Sequence, residues 1–417
     1  MTLPTDPDVD STQAIDPFAP ATLGPITLRN RFIKAATFEG MSIKNKMSDA
    51  IIEYHRAVAE GGVGMTTLAY CAVSRDGQGA PNEIVVEEGA AGGLAQFAEA
   101  MHATGAKASM QLGHAGPVGS VGGSNRLAPS KVFAPQAMKS TTPATVDDLR
   151  RIIGDHARSA VIAADAGFDA VELHFGHGYL VSSFLSPKLN QRDDDWGGSI
   201  ENRTRLAREV AGAVREAVGT RIAVTAKLNM ADGVEDGIWL DESIETARIL
   251  DGDGTLDAIE LTGGSSFENP MYLFRGEVPV AEMVKTMPKA IGMAFRLTSK
   301  RFMKAYPFTE AFFLDYARQF RDAIDMPLIL LGGINKLDTV HQAIGEGFEF
   351  VAMGRALLRE PDLINQWQAG DSGPSLCIHC NKCMPSIYAG THCVLVQEDE
   401  RPGFNTWQSI NPRAART

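Results

Sequence analysis

No stretch of the 417-residue sequence approaches the roughly 20 uninterrupted apolar residues that crossing a bilayer takes, which argues against a membrane-spanning protein. Nor is there an excess of positive charge. Lys and Arg number 39 against 51 Asp and Glu, a net of −12, so a nucleic-acid partner held through its phosphates is not expected. The opening "MTLPTDPDVDSTQAIDPFAP" carries neither the basic nor the apolar segment of a secretory leader, and residues 1–17 are read as a loose arm. Cysteine is scarce. Four of the five, Cys377, Cys380, Cys383 and Cys393, sit together late in the chain, which is no secreted disulfide framework, and a cytoplasmic protein is expected. Apolar content of 44% with 22% charged residues is that of a soluble globular protein.

What is present is alternation. Short apolar runs read as strands at 31–38, 63–70, 107–114, 170–177, 221–229, 258–264, 327–334 and 350–355. Helix-period segments lie between them, such as "SDAIIEYHRAVAEGG" and "IENRTRLAREVAGAVREAVG", the latter with Glu201 and Arg205 spaced as a helix ion pair. Eight strands with intervening helices predict an α/β fold, a (β/α)8 TIM barrel over residues 18–372, with a Cys-rich extension at 373–417. A doubly wound sheet is the competitor, but "RFIKAATFEG" after the first strand start is no Gly-rich dinucleotide fingerprint. Two connections are long, 115–145 after the third strand and 265–309 after the sixth. In a barrel both lie at the C-terminal strand ends, so the second is read as a lid or substrate wall, with an ordered surface loop or a subunit contact as the plainer reading.

Polar residues gather where these strands end. Gly332, Gly333 and Gly354 stand at turns after the last two strands, where backbone N–H groups can meet a phosphate, and Arg355 adds a planar cation. Lys227 lies in a strand buried on both faces, so it meets either a ligand's negative charge or Glu172 or Glu260; Lys34 is read as a plain interior ion pair. Gln111 offers donors and an acceptor to a heterocycle edge, or caps its strand. In "ELHFGHGYLVSSFLSP", His174 and His177 lack the pattern of a zinc site and read better as two donors aimed at one oxygen, with Tyr179 as a proton donor beside them.

These residues resemble the Old Yellow Enzyme family of FMN-dependent ene-reductases within the NADH:flavin oxidoreductases. The motifs are "LRNR", "QLGHAG", "LAPS", "ELHFGHGYLVSSFLSP", the "RDDDWGGSIENR" run at 192–203, and the paired "GGI" and "GR". The resemblance implies FMN as cofactor, NAD(P)H as hydride donor, and a small substrate with a conjugated carbonyl or nitro group, in a homo-oligomeric enzyme. It implies that Gln111, Lys227, Ala36 and Thr37 meet the flavin ring, and that Gly332, Gly333, Gly354 and Arg355 hold its phosphate. It further implies that His174 and His177 grip the substrate oxygen and the nicotinamide amide, and that Tyr179 protonates the α-carbon. The flavin-tuning position after the first strand aligns on Phe38, with Thr37 one residue earlier. "CIHCNKCMPSIYAGTHC" resembles the iron–sulfur segment of 2,4-dienoyl-CoA reductases and trimethylamine dehydrogenases, with a shorter final spacing. A 4Fe–4S cluster, a zinc site and reduced structural thiols all stay open for these four cysteines. The alternatives to an ene-reductase are an Fe–S-dependent dienoyl-CoA or enoate reductase, and a non-catalytic flavin electron carrier or redox sensor.

Overall fold

The computed structural model describes residues 15–119, 121, 126–134, 139–266 and 268–411. Most of the N-terminal arm and part of the first long connection lie outside them.

Eight parallel strands close into a barrel: β1 (Phe32–Lys34), β2 (Met65–Ala72), β3 (Lys107–Gly113), β4 (Ala170–Phe175), β5 (Ala223–Asn229), β6 (Ala258–Thr262), β7 (Leu328–Leu331) and β8 (Phe350–Met353). Each strand pairs with the next, and closure is made by β8 on β1, with Val351 opposite Phe32 and Met353 opposite Lys34. The helices between them start where side-chain caps satisfy free N–H groups. Ser48 caps α1 (Asp49–Glu60), and Thr145 with Asp148 forms a reciprocal capping box on the long helix Val146–Asp165.

Side chains two apart share a strand face, and this sorts the barrel into layers. Val171, Leu173, Val224 and Leu228 pack outward under the helices, in the main core. Ala170, Ala223 and Ala258, at the start of three strands, pack inward. These small residues leave room for Leu23 and Leu28 of an N-terminal hairpin, Ala21–Leu23 paired with Ile26–Leu28, which plugs that end of the barrel. Continuing in steps of two gives Glu172 and His174 on β4, Thr225, Lys227 and Asn229 on β5, and Glu260 and Thr262 on β6. The inner face is apolar at the bottom and polar at the C-terminal mouth.

Three expectations shift. The first strand ends at Lys34 rather than at residue 38; Lys34 is its last paired residue, and its side chain meets Glu39 at 3.1 Å, with His55 of α1 on the same carboxylate at 2.9 Å. Glu201 and Arg205 form no ion pair among the described residues; Arg205 instead donates to the Asp195 carbonyl at 2.7 Å and lies over the Trp196 ring. The connection after β6 is largely helical, with helices Pro270–Phe274, Val280–Lys285 and Lys289–Phe302. Beyond β8 the chain returns to β1, where Thr391 N–H donates to the Glu39 carbonyl at 2.8 Å. Trp407 is buried in the core, its indole donating to the Ala389 carbonyl.

Candidate active site

His174, His177 and Tyr179 converge with a fourth ring, Tyr70 from β2. Ring centroids are 4.5 Å apart for His174 and Tyr179, 5.0 Å for the two histidines, and 5.2 Å for Tyr70 and Tyr179. His174 follows the inward phase of β4, whereas His177 is set by a turn in the left-handed region, φ 61°. A non-glycine residue keeps that conformation only when its surroundings hold it. Here Asn229 Oδ1 accepts the His177 N–H at 3.0 Å, and Ser266 N–H donates to the His177 carbonyl at 2.9 Å. The His177 ring meets Thr262 Oγ1 at 2.9 Å, which leaves its second ring nitrogen for another partner.

Burial holds both imidazoles below their ordinary range, with Lys227 adding repulsion. His177 is brought down to about 3 and His174 well below its ordinary range, so both are neutral near pH 7, each carrying one N–H. Burial likewise keeps the Tyr70 phenol protonated, and Glu83 adds to the effect. Glu83 itself is buried, accepts the Gly79 N–H, and is pushed up to about 8 by loss of water. An acid whose folded pKa lies above its unfolded value loses stability as pH rises between the two. The protein is therefore expected to lose a few kcal/mol between about pH 4.5 and pH 8 from this group. Glu83→Gln should flatten that part of the stability–pH profile, and an unchanged slope in denaturation midpoints would refute the assignment.

Lys227 bridges two carboxylates, Glu260 at 2.6 Å and Glu172 at 3.1 Å. Burial alone would lower its pKa, but the two glutamates hold it above its ordinary value, so it stays charged. Burial pushes Glu260 up to about 8 despite that pull. Gln111 donates to Glu172 at 2.6 Å, so Gln111, Glu172, Lys227 and Glu260 form one chain across three adjacent strands and a fourth. The expected ion pair for Lys227 is thus doubled. Ala36 packs with Tyr179 against Ala69 and Tyr70. The Thr37 methyl lies 3.7 Å from where a side chain on Gly354 would begin.

The phosphate end is arranged differently from the expectation. Gly332 and Gly333 take φ 116° and 76°, which only glycine adopts freely, and Phe313 and Phe312 lie against them. The next free N–H groups, of Asn335 and Lys336, are taken by Glu310 Oε1 at 2.7 and 3.1 Å. Arg355, expected to face a phosphate, donates to the Phe274 and Arg275 carbonyls at 2.5 and 3.0 Å and to Asn381 Oδ1. Gly354 caps the short helix Arg355–Arg359.

The four late cysteines do come together. Cys377, Cys380, Cys383 and Cys393 line one small solvent-open cavity together with Arg355. All are free thiols, and burial pushes Cys383 up to about 12. Among the described residues no three His, Cys, Asp or Glu side chains stand at metal-binding spacing. The donor chemistry suits a thiophilic centre, and the side chains would have to draw inward to close on one.

Sequence reasoning missed Tyr70, Asn229, Thr262 and Arg275. The first three sit at C-terminal strand ends on the inward phase or beside it, a signal the strand patterns already held. Tyr70 closed the apolar run read at 63–70, and the strand itself continues to Ala72.

Thr37 Oγ1, Tyr70 Oη and His174 Nδ1 are buried with no hydrogen-bond partner among the described residues. Buried polar atoms are seldom left so, and a flat heterocycle with carbonyls and ring nitrogens would satisfy them. The mouth fits a flavin. Fold and site together define a (β/α)8-barrel oxidoreductase. The chain belongs to the NADH:flavin oxidoreductase / NADH oxidase family, whose sequence profile matches residues 16–258. Its cofactors are accordingly FMN and NAD(P)H. It is 53% identical over 380 residues to the 4,4'-dithiodibutanoate disulfide reductase of Rhodococcus erythropolis, covering 91% of this chain and 94% of that one. It is 30% identical over 370 residues to a multifunctional alkene reductase/demethylase OYE of Caballeronia cordobensis, covering 86% of this chain and 50% of that one. A 2-naphthoyl-CoA reductase solved with 2-naphthoyl-CoA superposes with TM-score 0.80 at 23% identity, over 94% of this chain and 58% of the other. The chain thus spans nearly all of the first relative but only 50% and 58% of the other two. No described helix is long and apolar enough to cross a membrane.

Proposed function

We propose that this enzyme uses NAD(P)H to reduce a small organic disulfide bearing carboxylates, in the mouth lined by His174, His177, Tyr179 and Tyr70. The observation that carries the acceptor class is the 53% identity, over nearly the whole of both chains, to a 4,4'-dithiodibutanoate disulfide reductase. Bound FMN supplies the hydride. The disulfide R–S–S–R takes that hydride and one proton and leaves as two thiols, while NAD(P)H becomes NAD(P)+. The neutral His174 and His177 orient the acceptor through their N–H groups. Tyr179 places a proton beside the leaving sulfur, so that it departs as a thiol rather than as a buried thiolate.

Reduction of an activated alkene is the second reading, favoured by the geometry of the two imidazoles. Two neutral N–H donors near one point suit a carbonyl or nitro oxygen on which negative charge develops, with Tyr179 protonating the α-carbon. The residues thus serve both acceptors in the same roles. Anaerobic enzyme reduced with NADH should be reoxidised by 4,4'-dithiodibutanoate with two thiols released per NADH, and 2-cyclohexenone tests the alkene reading in parallel. Reoxidation by the enone alone would overturn the disulfide reading.

The proposed division of the chain is a barrel over 18–372, with 265–309 as substrate wall, and a Cys-rich extension over 373–417. In that extension we assign Cys377, Cys380, Cys383 and Cys393 as ligands of an iron–sulfur or zinc centre. Protein purified without oxygen should then carry iron with acid-labile sulfide, or zinc, and lose it in Cys380→Ala. Metal-free protein with all four thiols freely titratable would refute this.

A further inference from the structure

Arg275 lies between the last helical turn of Pro270–Phe274 and the Gly276 bridge to Tyr306, on the β6–β8 side of the mouth. It is half-buried, and its guanidinium rests among four rings, with centroids at 5.3 Å (Tyr272), 6.0 Å (Tyr306), 4.9 Å (Phe312) and 5.5 Å (Phe313). Among the described residues no carboxylate oxygen lies within 4.0 Å of it, and its Nε is buried without a hydrogen-bond partner. Ring faces offset part of the lost hydration of a cation but accept none of its five N–H bonds. A second cation, Lys304, sits 5.1 Å from the centroid of the same Tyr306 ring, so the local potential is positive.

The rings that hold Arg275 are those lying against the mouth. Phe313 packs on Gly332 and Phe312 on Gly333, and Tyr272 stands over Gly263 and Gly264 at the end of β6. Arg355 is engaged by backbone carbonyls and Asn381, and the N–H groups of Asn335 and Lys336 by Glu310, whereas Arg275 has no carboxylate partner among the described residues.

The geometry points to Arg275 as an oxyanion-receiving residue of this site, pairing in a fork with a phosphate or a carboxylate brought in by a ligand. Besides NAD(P)H with its pyrophosphate, two ligands of this enzyme carry such a group: the flavin phosphate and, if the disulfide reading above holds, the acceptor carboxylate. A planar guanidinium matches either in two parallel hydrogen bonds.

The test compares Arg275→Met, which keeps the packing and loses the charge, with Arg275→Lys, which keeps the charge. Protein stripped of flavin is titrated with FMN and with riboflavin by flavin fluorescence. Reduced holoenzyme is then assayed with 4,4'-dithiodibutanoate and with the uncharged bis(2-hydroxyethyl) disulfide. If phosphate is the partner, Arg275→Met weakens FMN about tenfold or more and leaves riboflavin unchanged. If carboxylate is the partner, KM for the dicarboxylate rises by about the same factor and KM for the uncharged disulfide holds. Arg275→Lys falls between in whichever arm responds. Should wild-type enzyme turn over neither disulfide, the disulfide reading fails by itself, and the carboxylate arm is read as the Kd of 4,4'-dithiodibutanoate from perturbation of the flavin spectrum. A folded Arg275→Met protein that matches wild type in both arms overturns the inference.

Discussion

Replacing His174 by Ala and His177 by Gly should lower kcat/KM for the acceptor by on the order of 10²- to 10³-fold, with folding largely kept. Each imidazole is neutral and carries one N–H, which in the proposed function is offered to the acceptor, and removing one preorganised donor commonly costs on the order of a hundredfold. The two act on one acceptor, so the double variant should fall short of the product of the single effects. Glycine is the right replacement at position 177, because its backbone sits at φ 61°, where Ala would add strain unrelated to the ring. Tyr179→Phe should separate the half-reactions: reduction by NAD(P)H keeps its rate, while transfer to the acceptor slows. The sign of the pH response follows from burial. Burial brings His177 down to about 3 and holds His174 well below the ordinary histidine range, so no imidazole limb should cross the kcat/KM profile between about pH 5 and pH 8. Double-variant kcat/KM within threefold of wild type, or a limb centred on ordinary histidine, would contradict this account of the mouth.

The second large effect concerns stability. Lys227→Met should cost roughly 3–5 kcal/mol, because it leaves Glu172 and Glu260 buried without their common cation. Glu260 already stands at about 8 with the lysine present. Without it Glu260 resists ionisation further. A carboxyl whose folded pKa is raised contributes fully below its unfolded value and loses that contribution as pH climbs toward the folded one. The defect should therefore be mild near pH 4 and deepen through neutral pH. Adding Glu260→Gln should recover part of the loss by removing one charge that must otherwise be buried. Thermal midpoints across pH would show it, and a loss that does not grow with pH would mean that the lysine is no counter-ion for this pair.

Much of this was legible before the fold. Eight apolar runs marked eight strands, because strands buried on both faces leave an apolar record in the chain. Lys34 and Lys227 were marked as ion-pair candidates because a charge inside such a strand must be matched. What sequence could not supply was register. Glu172, Lys227 and Glu260 are distant in the chain, and only the pairing of Lys227 with Glu260 and of Glu172 with Gln111 across the ladders shows that one lysine serves two carboxylates. Arg355 was placed correctly at the end of β8, but its direction depends on Asn381 and on carbonyls from the β6 connection. Arg275 lay in a stretch whose aromatics suggested a wall, and nothing local in sequence says that four rings fold around one guanidinium.

The central claim is that hydride from NAD(P)H reaches an acceptor held at the His174, His177 and Tyr179 mouth. Its most direct measurement is anaerobic stopped-flow of the FMN-loaded enzyme, followed by flavin absorbance. The account predicts bleaching by NADH or NADPH, rapid recovery on mixing with 4,4'-dithiodibutanoate or an enone, and a recovery slowed by on the order of a hundredfold in Tyr179→Phe. Protein that takes up no FMN, or reduced flavin that every such acceptor leaves bleached, would contradict it.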